Sequence, residues 1–143
     1  MSNKVMLIHG PNLNMLGKRD PEIYGSSSLS DIEAKFSQKF NDDFEVFCFQ
    51  SNHEGNLIDL IHRAFNEDFY GLVINAGAFT HYAYAIRDAL EIFQNKKVEI
   101  HISNIYEREE FRRTSVISEV VDHVIVGKGI DGYSFAADFI ISG

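Results

Sequence analysis

The segment Val98-Glu99-Ile100-His101-Ile102 interrupts an apolar strand pattern with a carboxylate and an imidazole. A strand buried on both faces of a parallel sheet reads as a nearly continuous apolar run, so two ionisable residues in one need a reason. Period-two alternation places Glu99 and His101 on the same face, adjacent along the strand, where the carboxylate can orient the imidazole and help to charge it. That pairing suits a general acid with its supporting group; a hydrogen-bonded core histidine is the alternative. The other conspicuous stretch runs from Val5 to Gly25, VMLIHGPNLNMLGKRDPEIYG, where an apolar strand empties into a long loop dense in Asn, Gly, Arg and Tyr. A loop this long at a strand end, with no periodicity of its own, is expected to be a binding segment or a lid rather than a connector.

The elements that must position these groups alternate regularly. Val5–Ile8 is an apolar run, and Ser30-Asp31-Ile32-Glu33 matches a capping box that opens a helix to about Phe40. Phe44–Gln50 reads as a second strand, and Leu57, Leu60, Ile61, Ala64 and Phe65 recur at helical spacing after Glu54-Gly55. Leu72–Asn75 makes a third strand, Ala83, Ile86, Ala89, Leu90 and Phe93 a third helix, and Val98–Ile102 the fourth strand. A short helix is expected near Tyr106–Arg113, a fifth strand over Val124–Val126, and a last helix from Gly129-Ile130-Asp131-Gly132 to about Ile140. Strands alternating with helices call for a parallel sheet covered on both faces with right-handed crossovers. The expected fold is a three-layer α/β/α, flavodoxin-like domain with a five-stranded sheet in the order 2-1-3-4-5.

In such a sheet ligands bind beyond the carboxyl ends of the strands. The residues there are polar after every one of the first four strands: His9, Asn12, Asn14, Arg19 and Tyr24; Gln50, Asn52 and His53; Asn75, Gly77, Thr80 and His81; Ser103, Asn104, Arg108, Arg112 and Arg113. Composition narrows what they can bind. The 143 residues, 45% of them apolar, suit one catalytic domain spanning 1–143. A net charge of −8 argues against nucleic acid or an anionic membrane surface as partner and leaves room for an anionic small molecule at a locally positive site. No apolar run is long enough to span a membrane, and Met1-Ser2-Asn3-Lys4 leads into the first strand without an export signal. Cys48, the single cysteine, cannot form an intrachain disulfide and reads as a small buried hydrophobe, which makes a reducing cytoplasm the expected compartment.

Taken in order, these residues resemble the type II 3-dehydroquinate dehydratases of the shikimate pathway. The resemblance rests on GPNLN at Gly10–Asn14, the lid Arg19-Asp20-Pro21-Glu22-Ile23-Tyr24-Gly25, QSNHEG at Gln50–Gly55 and NAGAFTH at Asn75–His81. It continues through Ile86-Arg87-Asp88-Ala89, EIHISN at Glu99–Asn104, REEFRRTS at Arg108–Ser115 and GKGIDGY at Gly127–Tyr133. It covers essentially the whole chain, and no single motif carries it. The resemblance implies anti elimination of water from 3-dehydroquinate through an enolate-like intermediate, without metal or organic cofactor. It implies that Tyr24 is the base. A free phenol, with a pKa near ~10, is a poor base at neutral pH, and Arg19 would favour the phenolate by placing a positive charge beside it. Asn12 would hold a water against the enolate oxygen, His101 would protonate the departing hydroxyl, and Glu99 would orient His101. Asn75 and the backbone N–H groups of Ile102 and Ser103 would hold the substrate carboxylate. His81 and Arg112 would bind ring hydroxyls, and Arg108 would support the lid. The resemblance also implies a homododecamer, a tetramer of trimers, in which Asp88 approaches a neighbour's site. Tyr106, Ala76 and Tyr82-Ala83 depart from the family's usual residues and are expected to bear on pocket wall and loop shape.

The residues also admit plainer roles. Asn12 and Asn14 could be turn residues, and the arginines of 108–113 a solvated face with pairs such as Glu109 and Arg113. His62 and His123 read as structural, and His53 is left open. A phosphoacceptor domain of this architecture would need an acidic cluster after the first strand, where His9-Gly10-Pro11 stands, and a flavin or nucleotide carrier would want a glycine- and hydroxyl-rich loop rather than GPNLNMLGKR. A metal hydrolase built on His9, His81 and His101 stays conceivable, although no HExxH-like spacing supports it.

Overall fold

The structure is a computed structural model that describes residues 2–142; Met1, where the expected N-terminal segment begins, and Gly143 lie outside the described residues. β1 Lys4–His9, β2 Glu45–Gln50, β3 Gly71–Asn75, β4 Lys96–His101 and β5 His123–Val126 form one parallel sheet in the order β2-β1-β3-β4-β5, the order expected. The helices are α1 Pro21–Tyr24, a single turn, then α2 Leu29–Ser37, α3 Glu54–Asn66, α4 Tyr84–Ile92 and α5 Asp131–Ile141. Among the described residues no helix is long and apolar enough to cross a membrane.

The pleat of β1 divides the core into two layers. Met6 and Ile8 face α3 and α4, where Leu57, Ile61, Ile86 and Leu90 pack on them. Val5 and Leu7 face α2 and α5, which supply Ile32, Phe36, Ala136, Ala137 and Ile140. These side chains are almost wholly withdrawn from solvent, and each large one contributes about 1.5–3 kcal/mol by leaving water. Cys48 packs, half-buried, against the second layer. Burial and then the nearby Glu33 charge push its thiol up to about 12, so it is an inert filler.

Local chemistry moved several boundaries. α2 begins at Leu29, not after Ser30: Ser28 is its N-cap, with its Oγ accepting from Asp31 N at 3.2 Å and the Asp31 carboxylate accepting from Ser28 N at 2.9 Å. A cap of this kind contributes roughly 1 kcal/mol. Aspartate at the third helical position completes the box that was expected of Glu33, and Glu33 instead lies 3.2 Å from His9 Nε2. The short helix expected near Tyr106–Arg113 is two 3₁₀ turns, Ile105–Glu107 and Glu110–Arg112. Glu109 pairs with Arg112 at 3.0 Å, and Arg113 donates to the Arg108 carbonyl, so the expected Glu109–Arg113 pair gives way to i,i+3 pairing that suits the tighter turn. The first long loop contains two short elements of its own, a 3₁₀ turn at Leu13–Met15 and α1.

Candidate active site

The carboxyl ends of β1, β3 and β4 open onto one cavity. β1 and β3 are clasped at its floor: Gly10 N donates to the Asn75 carbonyl at 2.7 Å, and a Cβ on Gly10 would stand 2.5 Å from the Ala76 carbonyl oxygen, so only glycine fits there. Beyond it Asn12 takes a left-handed conformation, φ 70°, and caps the 3₁₀ turn that buries Leu13. The chain then doubles back through α1. Pro21 occupies its first turn, the Gly25 N–H closes it on the Pro21 carbonyl at 2.8 Å, and Tyr24 is brought to the cavity wall.

Two guanidinium groups meet on the Tyr24 oxygen. Arg19 Nη2 donates to it at 3.1 Å and Arg108 Nη1 at 2.8 Å, while the Arg19 guanidinium carbon lies 4.2 Å from the centre of the phenol ring. Charged donors of this kind are where the negative charge of a phenolate would be met. Arg108, expected only to support the lid, touches the phenol oxygen itself and also donates to Ser103 Oγ at 3.4 Å.

Opposite them, His101 lines the cavity while Glu99, one pleat earlier, is fully buried behind it. His101 Nε2 stands 2.5 Å from Glu99 Oε2, which leaves Nδ1 as the ring nitrogen able to exchange a proton with a ligand. A buried carboxylate needs several donors, and Glu99 has them: Thr80 Oγ1 at 3.1 Å and Ser115 Oγ at 2.8 Å on Oε2, and Ser118 Oγ at 2.5 Å on Oε1. Burial alone pushes this carboxyl upward, but the hydrogen bond and charge of His101, together with the hydrogen bonds of Ser118 and Ser115, outweigh it and hold Glu99 below the usual carboxylate range. The carboxylate is therefore ionised at neutral pH and fixes the ring.

The remaining wall is set up as donors. Asn75 Oδ1 accepts from Gly77 N at 3.1 Å, and its Nδ2 donates to Tyr133 Oη at 3.1 Å, leaving one amide hydrogen for the cavity. Tyr133 is fully buried and its phenol is pushed up to about 12, so it remains a neutral acceptor for Asn75. His81 Nδ1 donates to the Thr114 carbonyl at 2.7 Å, and desolvation, first among several causes, lowers its pKa; the ring stays neutral with Nε2 as its acceptor. Ile102 and Ser103 are pinned from outside, because Gly127 N donates to the His101 and Ser103 carbonyls at 3.3 and 3.2 Å, and Gly129 N to that of Ile102 at 3.1 Å. Gly127 has φ 73°, and a Cβ there would lie 3.0 Å from Asn104 Cβ, which is why the GKGIDGY motif has glycine at that point.

Asn12, Arg19, Tyr24, Asn75, His81, His101, Ile102, Ser103, Arg108 and Arg112 thus border a single cavity. Glu99 supports it from behind. Asp88 is exposed on α4 and does not border the cavity. Sequence reasoning missed Tyr133, Thr80, Ser115 and Ser118 as partners. A question put to the buried Glu99, namely which hydroxyls satisfy it, would have found Thr80 and Ser115 inside the matching motifs, but Ser118 lies outside all of them. His9 is wholly buried on the α2 and α5 side beside Glu33, and among the described residues no three His, Cys, Asp or Glu side chains form a group that could hold a metal ion, so His9, His81 and His101 do not converge. Tyr106, Ala76, Tyr82 and Ala83 do not border the cavity; Ala76 shapes the turn at its floor.

A parallel sheet with helices on both faces, and a polar cavity at the carboxyl ends of its central strands, places the chain among the flavodoxin-like α/β proteins. Within that class it belongs to the class II dehydroquinase family, whose model matches residues 3–141. A 3-dehydroquinate dehydratase from Thermotoga petrophila is 58% identical over 139 residues, which cover 96% of this chain and 94% of that protein. The crystal structure of a type II dehydroquinase from Butyrivibrio crossotus superposes with a TM-score of 0.93 at 47% identity and covers 97% of each chain. That of the type II dehydroquinase from Propionibacterium acnes gives a TM-score of 0.93 at 37% identity, covering 100% of this chain and 99% of the other.

Proposed function

We propose that the protein is a 3-dehydroquinate dehydratase, a hydro-lyase that converts 3-dehydroquinate to 3-dehydroshikimate in the shikimate pathway of aromatic amino-acid biosynthesis. The observation that carries this reading is the pairing, in one cavity, of Tyr24 under Arg19 and Arg108 with His101 backed by Glu99. The Tyr24 phenolate takes a proton from the carbon next to the ketone, and the C–H electron pair moves to the ketone oxygen as an enolate. Asn12 holds a water against that oxygen. The enolate then collapses to the conjugated enone, the C–O bond on the other side breaks, and His101 delivers the proton that turns the departing hydroxyl into water. Asn75 with the N–H groups of Ile102 and Ser103 binds the carboxylate, and His81 and Arg112 bind ring hydroxyls. No cofactor enters the scheme, a single catalytic domain performs it, and the cytoplasm is its compartment. Purified protein mixed with 3-dehydroquinate is expected to generate enone absorbance at catalytic rates, and a flat trace at micromolar enzyme would defeat the reading.

The assembly we propose is a homododecamer, a tetramer of trimers, in which Asp88 of one subunit supports the lid of its neighbour. The exposure of Asp88 on α4, outside its own cavity, supports this, as do Tyr82 and Tyr84, 58% and 66% exposed near the start of that helix, which a subunit contact would cover. Asp88→Ala is therefore expected to lower activity although its own subunit's cavity is untouched, and wild-type protein diluted until it dissociates is expected to lose activity too. Light scattering run beside the assay checks both; a fully active monomer, or unchanged kinetics and assembly in Asp88→Ala, would remove the role.

A further inference from the structure

The end of β2 carries a group of amides that the proposed chemistry leaves unused. Asn52 Oδ1 accepts the backbone N–H of Asn12 at 3.0 Å and, at 3.1 Å, Gln50 Nε2. Gln50 Nε2 also reaches the Gly10 carbonyl at 3.1 Å and Asn14 Oδ1 at 3.4 Å. One side chain at the end of β2 thus touches both ends of the GPNLN turn, and its neighbour takes the N–H of the residue between. The register supplies the reach, since Gln50 lies opposite His9 in the β1–β2 pair, one residue before Gly10.

Asn12 needs such a hold. Its φ of 70° lies in the left-handed region, which the third position of the Gly10–Leu13 turn requires: Pro11 precedes it, and Leu13 N donates to the Gly10 carbonyl at 3.4 Å. Among the described residues the Asn12 side chain makes no capping hydrogen bond to the 3₁₀ turn that follows it. Its inner neighbour Leu13 is buried, which fixes the depth of the turn, and the Asn12 N–H, which takes no part in the turn's own hydrogen bond, has Asn52 Oδ1 as its acceptor at 3.0 Å.

We infer that Asn52, braced by Gln50, is a positioning residue for the elimination: by accepting the Asn12 N–H it holds Asn12 in the left-handed conformation that aims its carboxamide into the cavity. Asn52 does not border the cavity and touches no reacting group. The inference rests on the proposed role of Asn12 at the enolate oxygen. An interaction realised as that charge develops shows in kcat, whereas substrate binding, held by the carboxylate and hydroxyl contacts, is left in place.

The test is a double-mutant cycle with steady-state kinetics on 3-dehydroquinate. Asn52→Leu, close in shape but without an acceptor, is expected to lower kcat about tenfold with KM changed less than about twofold. Asn52→Asp, which keeps an acceptor oxygen, is expected to retain kcat within about threefold, a rescue that a bulk effect on folding would not give. In an Asn12→Ala background, Asn52→Leu is expected to add nothing, because the group it positions is gone. Unfolding midpoints accompany each variant; because Asn52 is exposed, they are expected to stay close to that of the wild type. Unchanged kcat in Asn52→Leu beside a damaged Asn12→Ala, or fully additive losses in the double variant, would overturn the inference alone. Wild-type turnover in Asn12→Ala would overturn the role of Asn12 and this inference with it.

Discussion

Tyr24→Phe is expected to lower turnover by about two to four orders of magnitude while changing ligand affinity far less. The substitution removes one oxygen, the one on which Arg19 and Arg108 converge at 3.1 and 2.8 Å. Phenylalanine keeps the ring that packs beneath the Arg19 guanidinium, so the lid should still close over ligand. What disappears is the oxygen proposed as the proton acceptor. Arg19→Ala and Arg108→Ala should each also damage turnover, since each leaves the Tyr24 oxygen with one positive donor in place of two. Arg108→Ala is the more informative of the pair, because it separates a charge acting on Tyr24 from a mere prop for the lid. Product binding measured by calorimetry provides the affinity, and single-turnover kinetics the chemical step. Wild-type turnover in Tyr24→Phe would mean that another base does the work.

How much of this was open to inspection in the chain differs from element to element. Strand positions followed from the period-two and continuous apolar runs, and the parallel sheet from the alternation of strands with helices; the order 2-1-3-4-5 came with the flavodoxin-like architecture expected of that alternation. The first turn of α2 did not, because two overlapping boxes compete: Ser30 with Glu33 and Ser28 with Asp31. In the fold Asp31 takes the cap, and Glu33 lies 3.2 Å from His9 at the end of a distant strand. Tertiary partners of that kind leave no local trace. The Glu99–His101 pair was legible because an ionisable residue in a buried strand contradicts the pattern around it. Of its three hydroxyl partners, Thr80 and Ser115 stood within reach of the same argument, since a buried carboxylate needs donors and both lie in the matching motifs, whereas Ser118 acquires meaning only when the fold brings its segment to Glu99.

Charge gives the same lesson in another form. A net charge of −8 would repel an anionic ligand at long range, yet Arg19, Arg108 and Arg112 all border the cavity. Within roughly a Debye length, about 8 Å at physiological ionic strength, those guanidinium groups act on a ligand with little screening, although Glu109 offsets part of the charge of Arg112 and Arg108 at 3.0 and 3.8 Å. The global sign therefore restricts which macromolecules can dock, and the local sign decides which small molecule can enter.

His101→Ala is the second variant expected to lose about two to four orders of magnitude in turnover, and for a reason that structure makes separable from instability. Removing one partner of a buried charge ordinarily costs about 3–5 kcal/mol, because the other is stranded. Here Glu99 would keep hydrogen bonds from Thr80, Ser115 and Ser118 on its two oxygens, so the carboxylate is depleted of partners but not orphaned. The variant should fold with a lowered unfolding midpoint and bind product with affinity within about tenfold of wild type. Glu99→Gln is the useful companion. It retains one carbonyl oxygen that can accept from Ser118, puts an amide NH2 where the oxygen accepting from Thr80 and Ser115 stood, and removes the negative charge 2.5 Å from His101 Nε2. Turnover should fall less than in His101→Ala, and in the double variant the loss should be no greater than that of His101→Ala alone, since Glu99 acts only through the imidazole. Full additivity would show instead that Glu99 serves the reaction by a route that does not pass through His101.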